Sequence, residues 1–347
     1  MISGLKGGQL RRTALEPRKR QLRTAMNPAH RALERRLVPG RKFVIGLPFG
    51  WLAVFFLVPF FILLYISFVD MGSDIHPFKP LWDSDAGVLR LKYENYLSIF
   101  RPVEGGALFH TVYVDAYLRS LGYALCTGVL CLLLGYPFAY FIARAKPSVR
   151  PALLMMVMLP FWTSFLLRVY AWKGILADQG VLNQLLMGLG LTSEPVQMLY
   201  TSVSMLVGMT YVYLPFMVLP LYATLVKMDL RLLEAAKDLG ASPWKAFWLV
   251  TVPLSKAGIV AGFMLVFIPA VGEFVIPSLL GGPENLMVGR VVWDEMFSSN
   301  NWPRASALAV SMIVLVVLPL ALYYQHIGNA ADPAPAPTVD PDQEAAA

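Results

Sequence analysis

The chain has 347 residues, of which 57% are hydrophobic and only 15% are charged. Soluble domains carry about 45–50% apolar and about 25% charged residues, so this composition excludes an ordinary water-soluble protein and predicts a membrane protein. The net charge of +7 comes mainly from residues 1–42, which hold 12 of the 29 Lys and Arg residues. A basic segment beside an apolar one is typical of membrane orientation, so we expect contact with the lipid bilayer and no nucleic-acid partner.

Six apolar stretches are long enough to cross about 30 Å of hydrocarbon as helices. They predict an all-α membrane protein with six transmembrane helices, at residues 43–68, 121–143, 152–176, 200–225, 258–280 and 305–324. The predicted domains are a basic arm at 1–42, the first span and a loop at 43–115, a five-helix core at 116–325 and a disordered tail at 326–347.

The distribution of Lys and Arg predicts the orientation of the spans. If both termini are cytoplasmic, twenty basic residues lie inside and eight lie in external segments. This bias is the one that cytoplasmic loops show, so we expect a multi-pass inner-membrane protein with both termini in the cytoplasm. The long external loop at 69–118 has two interpretations, a solvated loop or short structure against the membrane or a partner.

The predicted cytoplasmic loop between the fourth and fifth spans has clear helix boundaries. Asp229 can cap a first helix, and Gly240 permits the left-handed turn that ends it. Ser242 can cap a second helix, with Pro243 at the first helical position, where its missing N–H costs nothing. Pro253 then ends that second helix. The pattern predicts two short helices joined by a glycine turn.

The second helix of this loop is predicted to be amphipathic. Trp244, Phe247, Trp248 and Thr251 follow at helical spacing and form one largely apolar face. One interpretation is an interfacial helix that lies on lipid headgroups. The other is a docking element that fits a groove in another protein. The spacing alone favours neither.

The same loop resembles the EAA signature of type-I ABC importer permeases. The motif is Glu234-Ala235-Ala236, three residues, Gly240, nine residues, and then Val250-Thr251-Val252-Pro253, with Val in place of the usual Ile and Leu. The resemblance implies the MetI-like permease fold and a loop that couples the spans to an ATPase. The residues that it assigns to ATPase coupling are Glu234, Ala235, Ala236, Gly240, Pro243, Trp244, Phe247 and Pro253.

The chain is not expected to hydrolyse ATP itself. A phosphate-binding loop needs Gly-x-x-x-x-Gly-Lys-Ser/Thr, and the sequence contains no Gly-Lys dipeptide. Its cysteines and histidines suggest no metal site, so we expect no cofactor on this chain. The resemblance implies that ATP and Mg²⁺ are bound by a partner ABC ATPase dimer and that a second permease subunit completes the channel.

One acidic residue, Glu273, falls inside a predicted span. A carboxylate in hydrocarbon is costly and usually faces a pore or a partner. Pro269, Gly272 and Pro277 surround Glu273 and predict a kinked or broken helix, as in transporter binding sites. If the span runs on to residue 280, Glu273 lies about 10 Å from its external end. We favour a cation site, with a structural ion pair to Arg168 as the alternative.

Aromatic side chains near the spans are candidates for cation–π contacts with an ammonium group, although core packing or interfacial belts would also explain most of them. These aromatic candidates are Trp162, Tyr170, Trp172, Tyr211, Tyr213 and Phe274.

Residues 43 to about 325 also resemble the polyamine permeases, above all in four segments at 162–172, 213–220, 267–283 and 288–295. The resemblance is to the putrescine permease subunit, which works with a second, non-identical permease and a periplasmic polyamine-binding protein. The substrate pathway that we predict from it consists of Glu273, Trp162, Tyr211, Tyr213, Phe274, Trp293, Asp294 and Glu295.

Three other functions fit part of the sequence. A secondary transporter driven by an ion gradient would explain six spans and Glu273 but not the EAA spacing. An intramembrane enzyme would need a catalytic pair in the spans, and the sequence offers no Ser/His or metal-ligand pair there. An ABC permease for another small solute, such as an amino acid or ferric ion, shares every feature except the resemblance to polyamine permeases.

Overall fold

The computed structural model of the chain describes residues 41–72, 77–83, 88–101 and 112–331. The predicted basic arm lies outside them except for Arg41 and Lys42, and so does the predicted tail beyond Ala331. The chain divides into two compact units, Met1–Ile62 and Leu63–Ala347. The second unit contains both the predicted cytoplasmic loop at 229–253 and Glu273.

Helices dominate the described residues, in agreement with the predicted fold class, and two short strands are added to them. The elements in chain order are α1 Arg41–Ser67, β1 Trp82–Asp83, β2 Val88–Leu89, α2 Glu94–Leu97, α3 Val112–Arg144, α4 Arg150–Met158, α5 Phe165–Leu176, α6 Val181–Gly188, α7 Ser202–Leu225, α8 Arg231–Asp238, α9 Pro243–Ala246, α10 Val252–Leu254, α11 Lys256–Val271, α12 Val288–Trp293 and α13 Trp302–Ala331. Turns of 3₁₀-helix lie at Ser98–Phe100 and Leu159–Trp162, and π-helical turns at Phe247–Thr251, Pro277–Gly281 and Asp294–Ser298.

The loop after α1 contains short structure. Strands β1 and β2 pair antiparallel, with Trp82 opposite Leu89. Asn95 of α2 donates hydrogen bonds from its amide to the carbonyls of Ser67 and Val69, at 2.9 and 3.0 Å. These bonds satisfy carbonyls at the end of α1 and hold α2 beside it.

Helices α3, α7 and α11 form the core of the second unit. Their shared interior is filled by buried side chains such as Met209, Met217 and Leu221. Small residues let the backbones approach closely. A Cβ atom at Gly258 of α11 would lie 2.6 Å from Thr224 Oγ1 and 2.9 Å from the carbonyl oxygen of Pro220. The glycine is therefore required by the close contact between α11 and α7.

Four of the described helices are long and apolar enough to cross a membrane, and two bent helix pairs raise the number to six if each pair is one span. The third predicted span is such a pair, because Arg150–Trp162 and Phe165–Gly188 meet at 87°. In the second pair, Pro243–Leu254 meets Lys256–Val271 at 66°. The continuous helix predicted at 152–176 is therefore wrong, and the second bend lies just before the span predicted at 258–280.

The helix of the fifth span stops at Val271, and helical structure resumes at Val275. We call the intervening residues, 272–274, the break. Its cause is local, since the side chain of Glu273 accepts hydrogen bonds from the backbone N–H groups of residues 274–276 and begins a new helical segment. Hydropathy does not register this event, because the residues on both sides are apolar.

Two other predicted boundaries are also shifted. Helix α3 begins at Val112 rather than at residue 121, since its first turns are helical but contain polar residues such as Asp115 and Arg119. Helix α13 extends to Ala331, beyond the start of the tail predicted at 326.

The helices of the core define its two ends. We call the end at which Arg144 and Leu225 lie the EAA end, and the opposite end, at which Val112 and Ser202 lie, the far end.

Candidate functional site

The break in the fifth span lies at the middle depth of the core. Tyr213, which contacts Glu273, is the residue 11 positions after Ser202 and 12 before Leu225 in the unbroken helix α7. At about 1.5 Å per residue, Tyr213 lies about 16 Å from the far end of α7. The distance of about 10 Å expected from the sequence is shorter because it applied the rise of a helix to residues 273–280.

Both oxygens of the Glu273 carboxylate accept hydrogen bonds from the protein. Its Oε2 accepts a hydrogen bond from the Tyr213 hydroxyl at 2.5 Å. Its Oε1 accepts from the N–H groups of Phe274, Val275 and Ile276 at 3.1, 3.0 and 3.4 Å. Only 9% of Glu273 is exposed. Backbone donors at the start of a helical segment thus stabilise a buried negative charge.

The structure does not support the ion pair between Glu273 and Arg168. The Arg168 guanidinium instead lies over the rings of Phe161 and Phe165, at 5.2 and 5.9 Å from their centroids. Within the described part of the chain, Nε and Nη1 of Arg168 have no hydrogen-bond partner. The structural role open to Glu273 is therefore to cap a helical segment and to accept a hydrogen bond from Tyr213, and not to form a salt bridge with Arg168.

Aromatic rings line the break on one side. Phe274 stacks on Trp293 with ring centroids 4.5 Å apart, and Trp293 contacts Phe297 at 4.2 Å. Trp293 is 45% exposed. Helix α12 is brought to the break by Gly289, where a Cβ would lie 2.7 Å from the Glu273 carbonyl oxygen. The structure thus brings together the predicted residues Glu273, Tyr213, Phe274 and Trp293.

The two acidic residues after Trp293 lie toward the far end. Asp294 forms an ion pair with Arg290 at 3.8 Å. Glu295 accepts a hydrogen bond from Tyr113 at 2.5 Å and lies 3.9 Å from Arg304. A cavity of about 300 Å³ opens beside them, and its lining residues are Arg101, Val112, Tyr113, Leu286, Val291, Asp294 and Glu295.

The remaining predicted pathway residues have no described contact with Glu273. Trp162 lies at the bend of the third span and is 83% exposed. Tyr211 packs edge-to-face against Trp172 at 5.5 Å. The sequence missed Phe161 and Phe216, whose rings pack 5.1 Å apart and connect the bend of the third span to Tyr213. Nothing in the sequence distinguishes them from the other phenylalanines.

The EAA loop (residues 229–253) has two helical segments joined at Gly240, as predicted, but Leu230 and not Asp229 is the N-cap of the first. Asp229 accepts a hydrogen bond from the N–H of Arg231 at 3.0 Å. Gly240 has a φ of 81°, the left-handed conformation that the sequence requires there. Ser242 caps the second helix by accepting from the N–H of Lys245 at 3.3 Å. That helix ends at Leu254, one residue beyond Pro253.

The predicted apolar face of the second EAA helix is divided between two environments. Thr251 is buried, and Phe247 packs against Tyr136 of α3. Trp244 and Trp248 point away from the core and are 70% and 51% exposed. Leu239 and Leu249 of the same loop are also exposed, as are Glu234 and Ala235, and we call Leu239, Trp244, Trp248 and Leu249 the exposed apolar patch. A patch of this kind at the end of a membrane protein is typical of a protein interface.

Known proteins are similar to this chain in sequence and in fold. The chain is 38% identical over 286 residues to the spermidine/putrescine transport system permease protein PotB of Haemophilus influenzae. The alignment covers 82% of this chain and 93% of that protein. The PotB protein of Escherichia coli K12 is 36% identical over 278 residues, with coverages of 80% and 94%.

The fold is similar to that of a chain in the crystal structure of a bacterial ABC transporter involved in the import of alginate. The TM-score is 0.56, and the alignment covers 84% of this chain and 97% of that one at 16% identity. Residues 29–332 match the family of binding-protein-dependent transport system inner membrane components. The chain therefore belongs to this family of inner-membrane transport components.

Proposed function

We propose that the chain is the permease subunit of an ATP-driven importer that moves polyamines, such as putrescine and spermidine, from the periplasm to the cytoplasm. The observation that carries the proposal is the identity with PotB proteins over more than nine tenths of their length. The buried carboxylate and stacked rings at the break add a chemical reason, because polyamines are flexible polycations with apolar segments between their ammonium groups.

The break offers the two kinds of contact that an ammonium group needs. The faces of Trp293 and Phe274 attract cations through their ring quadrupoles. Glu273 supplies a negative charge at mid-depth, where a cation must leave water behind. The Tyr213 hydroxyl and three backbone N–H groups hold that carboxylate in place, so that it is preorganised before the substrate arrives. Nearer the far end, Asp294 and Glu295 favour the approach of a second ammonium group.

The energy for transport comes, in this proposal, from a partner. The exposed patch of Leu239, Trp244, Trp248 and Leu249 docks into an ABC ATPase dimer, which binds ATP and Mg²⁺. The EAA end then faces the cytoplasm and both termini lie there, as the basic loops predict. A second, non-identical permease subunit completes the pathway, and a periplasmic polyamine-binding protein delivers substrate to the far end.

Reconstitution tests this proposal directly. The chain is assembled with its partner permease and ATPase in proteoliposomes, with the binding protein outside, and uptake of radiolabelled putrescine is measured. We expect uptake that requires ATP and survives collapse of ion gradients. Uptake that requires only an ion gradient would indicate a secondary transporter. ATP-driven uptake of an amino acid or ferric ion, but not of polyamines, would refute the proposed cargo.

A further inference from the structure

The EAA loop connects to the fifth span through one buried residue, Ser255. Here the segment Pro243–Leu254 meets α11 at the 66° bend. Ser255 is 1% exposed, and its φ of −91° and ψ of 2° lie outside the helical range. Its N–H still donates to the carbonyl of Thr251 at 3.0 Å. Ser255 is therefore a joint, held in place between two helical arms.

Tyr136 of α3 reaches this joint from the neighbouring span. Its hydroxyl lies 2.9 Å from Ser255 Oγ, and both residues are buried. Ser255 Oγ donates its hydrogen to the carbonyl of Val252 at 3.0 Å. A serine hydroxyl has one hydrogen to donate, so the Tyr136 hydroxyl is the donor in the bond between the two side chains. This bond links an unbroken span to the joint.

The ring of Tyr136 also contacts the EAA loop itself. It packs edge-to-face against Phe247, with centroids 5.4 Å apart. One helical turn further along α3, Tyr140 contacts the same ring at 6.1 Å, and the Arg144 guanidinium lies 5.0 Å from the centre of the Tyr140 ring. Tyr136 differs from Tyr140 because its hydroxyl is bonded to the joint.

We propose that Tyr136 is a positioning residue that transmits the movement of the EAA loop to α3. The inference rests on the proposed function, in which an ATPase moves that loop. Movement passes to α11 through the main chain at Ser255, but it reaches α3 only through side-chain contacts. With the hydroxyl bond intact, the joint and α3 move together. Without it, the loop pivots at Ser255, and α3 follows less closely because the ring contacts of Phe247 do not hold the joint.

The test measures coupling rather than activity alone. In proteoliposomes that contain the complete transporter, the number of putrescine molecules imported per ATP hydrolysed is compared between the wild type and Tyr136→Phe. Phenylalanine keeps the ring contact with Phe247, so we expect ATPase binding and ATP hydrolysis to persist. The ratio should fall about three- to tenfold, the effect of losing one buried hydrogen bond during the transition.

Two further variants make the result specific. Ser255→Ala removes the other half of the bond and should lower the ratio to the same extent. The double variant should be no worse than either single one, because both remove one interaction. Tyr140→Phe is the matched control and should keep the wild-type ratio, since no hydrogen bond of the Tyr140 hydroxyl to the loop is found among the described residues.

Three results would overturn the inference. The first is a wild-type ratio in both Tyr136→Phe and Ser255→Ala. The second is a double variant in which the two effects multiply. The third is loss of ATPase binding in both single variants, which would mean that the bond only supports the fold. A wild-type complex that hydrolyses ATP without importing putrescine would instead count against the proposed function.

Discussion

Tyr213 donates its hydroxyl hydrogen to Glu273 across 2.5 Å and so joins the unbroken helix α7 to the break in the fifth span. Both residues are buried at mid-depth. A buried acceptor that loses its partner costs about 1–3 kcal/mol. The position of the Glu273 side chain therefore depends on a residue that belongs to another span.

Replacement of Tyr213 by phenylalanine should weaken transport. The ring would remain in the core, but Glu273 Oε2 would lose its donor, and we expect a loss of about 1–3 kcal/mol in thermal stability or in substrate binding. Uptake kinetics and the melting temperature of the purified chain measure the two effects. Tyr222→Phe, at a partly buried tyrosine of the same helix outside the predicted pathway, is the control. Equal effects of both substitutions would contradict the role of this bond.

The variant Glu273→Gln should lower polyamine uptake while assembly with the ATPase survives. The amide oxygen of glutamine can still accept hydrogen bonds from the N–H groups at residues 274–276, so the helix cap persists. The charge is lost, and the Tyr213 hydroxyl then has to accept from the amide NH2 instead of donating to Oε2. Putrescine uptake and co-purification of the ATPase are the measurements. Glu284→Gln, at an exposed acidic residue, is the matched control. Unchanged kinetics in Glu273→Gln would remove this residue from the pathway.

Substitution Trp244→Ala should weaken ATPase binding. Trp244 is 70% exposed in the chain alone, and a tryptophan at the centre of an interface often contributes about 2 kcal/mol or more. We expect the affinity for the ATPase to fall by at least about tenfold, as measured by titration in detergent. Leu189→Ala removes an exposed apolar side chain outside the EAA loop and should leave the affinity unchanged. Wild-type affinity in Trp244→Ala would place the ATPase elsewhere.

A methyl group at Gly258 should destabilise the core. The new Cβ would lie within 3 Å of Thr224 Oγ1 and of the Pro220 carbonyl, so α11 and α7 would have to separate, at a cost of about 1–3 kcal/mol. The melting temperature in detergent should fall. Gly174→Ala is the control, because nothing lies within 4 Å of its added Cβ and alanine favours helix. A similar change in both variants would argue against the close contact.

The local features of the EAA loop were predictable from sequence because they depend on neighbouring residues. A cap at Ser242, a proline after it and a left-handed glycine at 240 are decided within four positions of the chain. The spacing of the EAA motif indicated the protein family in the same way, because it also depends on neighbouring residues. Hydropathy located the apolar stretch of each span but not the bends in two of them, since the burial of apolar residues in lipid is a property of a whole segment.

The break and the contacts around it were only partly predictable. Pro269, Gly272 and Pro277 indicated an irregular helix, but not that the Glu273 side chain would begin a new segment. The contacts of Gly289 with the break, of Phe161 with Phe216, and of Tyr136 with Ser255 join residues that are far apart in sequence. Such pairs arise from the packing of helices, which a single sequence does not encode in any local pattern.

The apolar patch on the EAA loop has a consequence for the cell. In the proposed function, a newly made copy presents the exposed side chains of Leu239, Trp244 and Leu249 to water until the ABC ATPase binds there. Uncovered surfaces of this kind mark a protein for chaperones and proteases. We therefore expect copies that lack a bound ATPase to be degraded quickly, so that the amount of ATPase limits the number of assembled transporters. The measurement is the half-life of the chain with and without co-expressed ATPase, and we expect it to be shorter without the ATPase.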